Sequence, residues 1–191
     1  MPRNFIRIDK KIKSFKKKLN VDGDKILSIR WALIASQAIG TSKAKNLLQS
    51  EDVNNTLRCL KKLGIKISQY QNICLIEGRG INGFVFRKNI TLDAGNSGTL
   101  GRLILSLLIK SPYKIKIVGD KSLSQRDFSR VIEPLKKIGV NFYPNDKSKL
   151  PFYIKGTNYL RPINYFEKRG SAQCKTCIML ASLNLPGVTK I

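Results

Sequence analysis

Leu57-Arg58-Cys59-Leu60-Lys61-Lys62-Leu63-Gly64-Ile65 is echoed 75 positions later (57 to 132) by Ile132-Glu133-Pro134-Leu135-Lys136-Lys137-Ile138-Gly139-Val140. Each reads as an amphipathic helix ended by glycine. In the first copy Val53, Leu57, Leu60 and Leu63 recur at helical spacing, Ser50 or Asp52 can cap the start, and Gly64 supplies the left-handed residue after the last turn. The second copy has Pro134 inside it, so that helix must start late or bend there.

A second pattern keeps almost the same period. Arg30-Trp31-Ala32-Leu33-Ile34-Ala35, Arg102-Leu103-Ile104-Leu105-Ser106-Leu107 and Lys175-Thr176-Cys177-Ile178-Met179-Leu180 are apolar helix candidates, each led by one cation. Those cations are 72 (30 to 102) and 73 (102 to 175) positions apart. Between the helices, Ile65-Lys66-Ile67, Ile73-Cys74-Leu75-Ile76, Lys114-Ile115-Lys116-Ile117-Val118 and Phe152-Tyr153-Ile154 read as strands. A unit this long is a small α/β subdomain used several times, not a solenoid turn. The expected fold class is therefore α/β (α+β). Its repeat units lie at about 21–90 and 91–160, with an incomplete third over 161–191, after a basic lead-in over 1–20 that reads as a short strand or a tail. The run Val188-Thr189-Lys190-Ile191 looks like a strand cut short, where a domain boundary belongs in a polar linker, so a truncated protein is expected.

The 191 residues, 42% hydrophobic, suffice for one sizeable core or two small ones. No run approaches the roughly 18 apolar residues of a membrane span, and Met1-Pro2-Arg3-Asn4 does not open a signal peptide, so the cytoplasm is expected. Lys and Arg number 36 against 12 acids, a net charge of +24 that draws polyanions and raises a nucleic-acid reading. Against it, the lysines are spread along the chain, with one dense cluster from Lys10 to Lys18. No aromatic-interleaved basic strand or helix-turn-helix signal is evident. Histidine is absent, which excludes imidazole chemistry and leaves Lys, carboxylate, Tyr or Cys as acid or base. Of Cys59, Cys74, Cys174 and Cys177, only the last two are close, and a lone C-x-x-C in an apolar helix reads as structural thiols.

Four places could hold an anion. Lys25 and Arg30 flank the start of the first apolar helix, where free N–H groups and the dipole favour phosphate or carboxylate. Gly95-Asn96-Ser97-Gly98-Thr99-Leu100-Gly101-Arg102 opens the second, with glycine permitting close approach and Ser97 and Thr99 offering hydroxyls; it lacks the Gly-Lys-Ser/Thr ending of a Walker loop. Gly119-Asp120-Lys121-Ser122-Leu123-Ser124-Gln125-Arg126 reads as a polar loop whose final guanidinium could grip an anion with two prongs. Gly170-Ser171-Ala172-Gln173-Cys174-Lys175 opens the third helix. Each alone is equally an ordinary cap, turn or solvated cation. Together they describe related helix starts aimed at one multi-anion pocket.

At this point a resemblance enters. Leu92-Asp93-Ala94-Gly95-Asn96-Ser97-Gly98-Thr99 with Arg102, Gly119-Asp120 with Ser122-Leu123, Arg126 and Val131-Ile132-Glu133-Pro134-Leu135, and Gly170-Ser171-Ala172-Gln173 with Lys175 resemble motifs of the EPSP synthase family, in order and spacing. Asp24-Lys25, Ser28, Arg30 and Ser50-Glu51-Asp52-Val53 also match, so that the resemblance covers about 21–191. It implies two similar lobes, each of three βαβαββ-type units, with the active site between them and only the N-terminal lobe represented here. It implies enolpyruvyl transfer from phosphoenolpyruvate to shikimate 3-phosphate without metal or organic cofactor, by a monomer. By resemblance Lys25 would contact both substrates and serve catalysis, and Arg30 would hold the shikimate carboxylate. Ser171, Ala172 and Gln173 would meet the shikimate phosphate region, and Gly98 and Arg126 phosphoenolpyruvate with Gln173 nearby.

This sequence departs from the family pattern at several points. Ile26 stands where a hydroxyl residue usually follows the lysine, Ile29 replaces a position often Asn or His, and Asp127 replaces a proline and is expected to weaken the positive field beside Arg126. The resemblance places a carboxylate and further Lys and Arg residues in a second lobe, and without them full activity is not expected. The sister transferase acting on UDP-N-acetylglucosamine is the near rival, but its reactive cysteine has no counterpart between Gly119 and Arg126.

Overall fold

The computed structural model describes residues 7, 9, 14, 16, 18, 19, 21–168 and 170–191. The lead-in expected over 1–20 lies almost wholly outside the described residues. In chain order the elements are α1 (Lys25–Gln37), β1 (Ile39–Lys45), α2 (Glu51–Lys62), β2 (Lys66–Tyr70), β3 (Ile73–Arg79), β4 (Thr91–Asp93), α3 (Gly98–Leu107), β5 (Ile115–Val118), α4 (Lys121–Gln125), α5 (Ser129–Ile138), β6 (Asn141–Tyr143), β7 (Phe152–Lys155) and α6 (Ala172–Ser182).

The strands form two sheets of matching plan. One has the order β4-β5-β7-β6, with β4 parallel to β5 and the other pairs antiparallel. The other has the order β1-β3-β2, all antiparallel, which reproduces β5-β7-β6 without the parallel strand. A third start is visible at Asn164, which forms a parallel bridge to Lys190. Tyr165 N–H donates to the Lys190 carbonyl at 2.8 Å and Lys190 N–H to the Ile163 carbonyl at 3.2 Å. α6 thus spans two parallel segments as α3 does between β4 and β5, the βαβ connection that parallel pairing demands.

The helices divide into two kinds. α2 and α5 are amphipathic: Val53, Leu57 and Leu60 of α2 and Val131, Ile132, Leu135 and Ile138 of α5 are buried, while Lys61, Lys62 and Lys137 stay outside or half out. Ser50 caps α2 by accepting from Val53 N–H at 3.4 Å, and Gly64 (φ 86°) and Gly139 (φ 117°) supply the left-handed residues beyond the helices. Of the two expectations for α5, a late start is not what the chain does. The helix begins at Ser129 and carries a buried Pro134 inside, so the Arg130 carbonyl loses the N–H that another residue would offer it.

α1, α3 and α6 are apolar nearly all round and lie side by side, α3 packing against both others. Buried Ser36 and Ser106 meet their hydroxyl donors within their own helices, bonding the Leu33 and Leu103 carbonyls at 2.6 Å, and the half-buried Ser182 likewise bonds that of Ile178 at 2.8 Å. Beneath the larger sheet Phe128, Phe142 and Phe152 stack edge to face at 5.6 and 5.7 Å, each burial contributing roughly 2 to 3 kcal/mol.

β1, β4 and β6 carry too few alternating apolar residues to have been read as strands. Most of β1 is exposed, with Gly40 at φ 94°, and β4 and β6 have three residues each. The segment read as a polar loop from Gly119 to Arg126 contains the short α4, because Asp120 caps it by accepting from Leu123 N–H at 2.6 Å.

Candidate anion-binding wall

Three helix N-termini define the site. α1 starts on Asp24, which accepts from Leu27 N–H at 2.7 Å; α3 starts on Ser97, which accepts from Leu100 N–H at 3.2 Å; α6 starts on Ser171, which accepts from Cys174 N–H at 3.3 Å. These caps repeat at 73 (24 to 97) and 74 (97 to 171) positions, the period of the sequence itself. Since α3 packs between α1 and α6, their positive dipole ends stand together.

Side chains tie the three starts into one row. Arg30 of α1 donates through Nη2 to Thr176 Oγ1 of α6 at 3.3 Å, and Thr176 Oγ1 donates to the Ala172 carbonyl at 2.7 Å. Its other terminal nitrogen, Nη1, is buried and has no hydrogen-bond partner among the described residues. An unmet guanidinium donor out of water is unfavourable by a few kcal/mol, and an incoming carboxylate would relieve that. Gln173 of α6 reaches α3 with both ends of its amide, Nε2 donating to Thr99 Oγ1 at 3.1 Å and Oε1 accepting from Arg102 Nη1 at 3.2 Å.

Gly98 and Arg126 meet as well. A Cβ on Gly98 would lie 3.3 Å from Arg126 Nη1 and 2.7 Å from Arg102 Nη1. Only glycine leaves both guanidiniums this close to the first turn of α3. The Arg126 side chain is exposed and makes no hydrogen bond or salt bridge among the described residues, so its fork is open to solvent.

Lys25 is the exception. Its Nζ lies 3.2 Å from Asp52 Oδ2 on α2, half exposed, and no contact joins it to Gln173, Gly98 or Arg126. Asp52, one of two residues read as a cap for α2, therefore serves as the counter-ion of Lys25 while Ser50 does the capping. Ser97 and Thr99, read as hydroxyl donors to a ligand, are both buried, one by its capping bond and the other by Gln173.

In the sequence Arg102 is the middle cation of the repeat and closes the Gly95–Arg102 stretch, with no contact of its own assigned to it. In the structure it holds the site together. Besides Gln173 it donates to the Gly98 carbonyl at 3.2 Å and, through Nη2, to the Asp127 carbonyl at 3.1 Å, and its guanidinium lies 4.8 Å over the Phe128 ring. Burial lowers its pKa below the usual arginine value, and the neighbouring Arg126 and Arg130 push the same way. The spacing did not disclose this, because Arg30, Arg102 and Lys175 stand six, five and four residues after their caps and Lys175 is exposed. Asp127 faces α5 more than Arg126. Burial alone would raise its carboxyl, but hydrogen bonds from Ser129 and Ser148 hold it below the usual carboxylate range.

The chain is thus an α/β protein built on repeated strand–helix units, with three capped helix starts and the guanidiniums of Arg30, Arg102 and Arg126 gathered along them. The family model described as EPSP synthase (3-phosphoshikimate 1-carboxyvinyltransferase) matches residues 9–191, and the chain belongs to that family. Two relatives, the 3-phosphoshikimate 1-carboxyvinyltransferases of Streptococcus pyogenes serotype M4 (strain MGAS10750) and serotype M49 (strain NZ131), are each 38% identical over 174 residues, covering 91% of this chain. The structure of EPSP synthase from Acinetobacter baumannii superposes with a TM-score of 0.84 at 33% identity over 92% of this chain. This chain spans 40% of the length of each. No helix among the described residues is long and apolar enough to cross a membrane.

Proposed function

We propose that this chain supplies the shikimate 3-phosphate wall, and part of the phosphoenolpyruvate site, of an enzyme that transfers enolpyruvyl to the 5-hydroxyl of shikimate 3-phosphate, releasing phosphate. The observation that carries the reading is the linked row of helix starts, in which Arg30, Gln173, Gly98 and Arg126 are joined through Thr176 and Arg102. Each proposed ligand group is an anion, and each proposed partner is a cation or a helix N-terminus.

The Arg30 guanidinium takes the shikimate carboxylate, its unmet Nη1 completing a two-pronged contact. The start of α6 takes the phosphate through Ser171, the backbone at Ala172 and Gln173, with the dipole adding to them. Ser171 keeps its hydroxyl hydrogen free, because its oxygen only accepts in the cap. Arg126 and the N–H groups beside Gly98 take phosphoenolpyruvate. Lys25 bridges both ligands once its ammonium leaves Asp52. In the reaction the phosphoenolpyruvate methylene gains a proton and the shikimate 5-hydroxyl, giving up its own proton, adds to the neighbouring carbon to form a tetrahedral intermediate, which then loses phosphate and one methyl proton to restore the enol ether. Cations fixed beforehand stabilise the charge on that intermediate and hold the reactants together.

The 38% identity to proteins named 3-phosphoshikimate 1-carboxyvinyltransferase supports this assignment over the UDP-N-acetylglucosamine enzyme. We further infer repeat units at about 21–90, 91–160 and 161–191, and a cytoplasmic monomer. Four buried free thiols suit a reducing compartment, and the +24 charge opposes self-association. Calorimetric titration of the chain with shikimate 3-phosphate tests the proposal; Arg30→Ala should abolish the heat of binding, and a variant that binds like the parent would remove Arg30 from the site.

A further inference from the structure

The two faces of the larger sheet carry different chemistry. Leu92, Ile115, Ile117, Phe142, Phe152 and Ile154 point inward and are buried. The alternate residues point outward, as the period of a strand requires. Thr91 pairs with Lys116, Lys116 with Tyr153 and Tyr153 with Tyr143, so one row crosses four strands, and Lys155 pairs with Asn141 beside it. Tyr143 and Tyr153 are 37% and 38% exposed. Lys114 stands just before β5 with its Nζ 4.0 Å over the Tyr143 ring and 5.8 Å over that of Tyr153, and Lys88 lies 5.7 Å over Tyr113. Lys88, Asn89, Tyr113, Lys114, Tyr143 and Lys155 border one shallow depression of about 380 Å³. The only acid at an outward position of these strands is Asp93, at the far end of β4, and the Gly95 N–H occupies its carboxylate at 2.8 Å.

The sequence reading found no basic strand interleaved with aromatic residues. The fold assembles such a surface from three strands and two flanking segments. Lysines alone would suit any polyanion. Two half-exposed tyrosine rings opposite one another on a rigid sheet, each within reach of an ammonium, add a preference for a polyanion with flat apolar faces.

We propose that the outer face of β4-β5-β7-β6 binds single-stranded nucleic acid. Bases stack on Tyr143 and Tyr153, and Lys88, Lys114, Lys116 and Lys155 meet the phosphates. On binding, the Lys114 ammonium exchanges the ring faces for phosphate oxygens and frees those faces for the bases. This surface is separate from the helix starts and stands or falls independently of the transferase reading.

The test is fluorescence anisotropy of the 191-residue chain with a labelled oligouridine of about 12 nucleotides, within the span of one such platform. Tyr143→Ala and Tyr153→Ala should each weaken binding roughly tenfold, while Tyr143→Phe and Tyr153→Phe, which keep the rings, bind as the parent does. Each Lys→Ala change at the four positions should reduce the slope of log affinity against log salt by about 0.7. Inorganic polyphosphate, which has charge but no bases, should displace the oligonucleotide poorly. The proposal is overturned if the alanine variants, shown by circular dichroism to be folded, bind as tightly as the parent, or if polyphosphate competes as well as oligouridine at equal charge.

Discussion

Gln173 Oε1 and Arg102 Nη1 lie 3.2 Å apart, joining the first turns of two helices that open successive copies of the repeat. That contact fixes the orientation of the Gln173 amide, because Thr99 holds its other end. Arg102→Ala removes bonds to Gly98, Gln173 and Asp127 together and should destabilise the chain by about 2 to 4 kcal/mol. Arg102→Lys keeps the charge but not the fork, and should recover less than half of that loss in urea unfolding.

Gly98→Ala should act on one ligand and spare the other. The added methyl would meet Arg102 at 2.7 Å and Arg126 at 3.3 Å, displacing the guanidinium assigned to phosphoenolpyruvate. Shikimate 3-phosphate binding, which rests on Arg30 and the start of α6, should change less than threefold while phosphoenolpyruvate binding to the binary complex falls about tenfold or more. Titration of each ligand separates the two effects.

Lys25→Ala tests whether the exposed ion pair with Asp52 is structural or functional. Its ammonium is half exposed, so the pair contributes about 0.5 kcal/mol to stability at most, and the melting temperature should barely move. Binding of shikimate 3-phosphate should fall about tenfold, the scale of one charge-assisted hydrogen bond.

Acid should loosen the loop that carries Arg126. The Asp120 carboxyl is held below the usual range chiefly by the Leu123 N–H, and also by Asn96, which donates to it at 2.6 Å; Asp127 is held low by Ser129 and Ser148. A carboxyl with a depressed folded pKa contributes stability that is complete above its unfolded value, near pH 3.9, and is lost as pH falls through the folded value. Unfolding midpoints should therefore decline below about pH 4, and less steeply in Asp120→Asn and Asp127→Asn than in the parent.

The thiols should be inert. Burial raises Cys59 to about 11 and Cys177 further, so neither is a thiolate at neutral pH. All four cysteines are free and buried, and a disulfide-exchange reagent should label them only after denaturant is added.

Much of this was legible in the sequence because the repeat made weak signals confirm one another. A glycine after an amphipathic run is ambiguous once, but Gly64 and Gly139 end helices at the same place in two copies. Arg30, Gly98, Arg126 and Gln173 stand out in the sequence because caps, cations and glycines leave a local trace, and the structure brings them together. Arg102 had that trace, but its partners Asp127 and Gln173 are 25 and 71 residues away, and such contacts have no local signature. The same limit hid Asp52 as the partner of Lys25, and the Tyr143 and Tyr153 row, which exists only through strand register.

In the proposed function the linked starts of α1, α3 and α6 form the wall that receives shikimate 3-phosphate. Isothermal titration of shikimate 3-phosphate into the parent chain, Arg30→Ala and Ser171→Ala measures it most directly. One saturable site is expected in the parent, weakened at least about tenfold in each variant while both remain folded. A parent that takes up no shikimate 3-phosphate, or folded variants that bind it as the parent does, would contradict it.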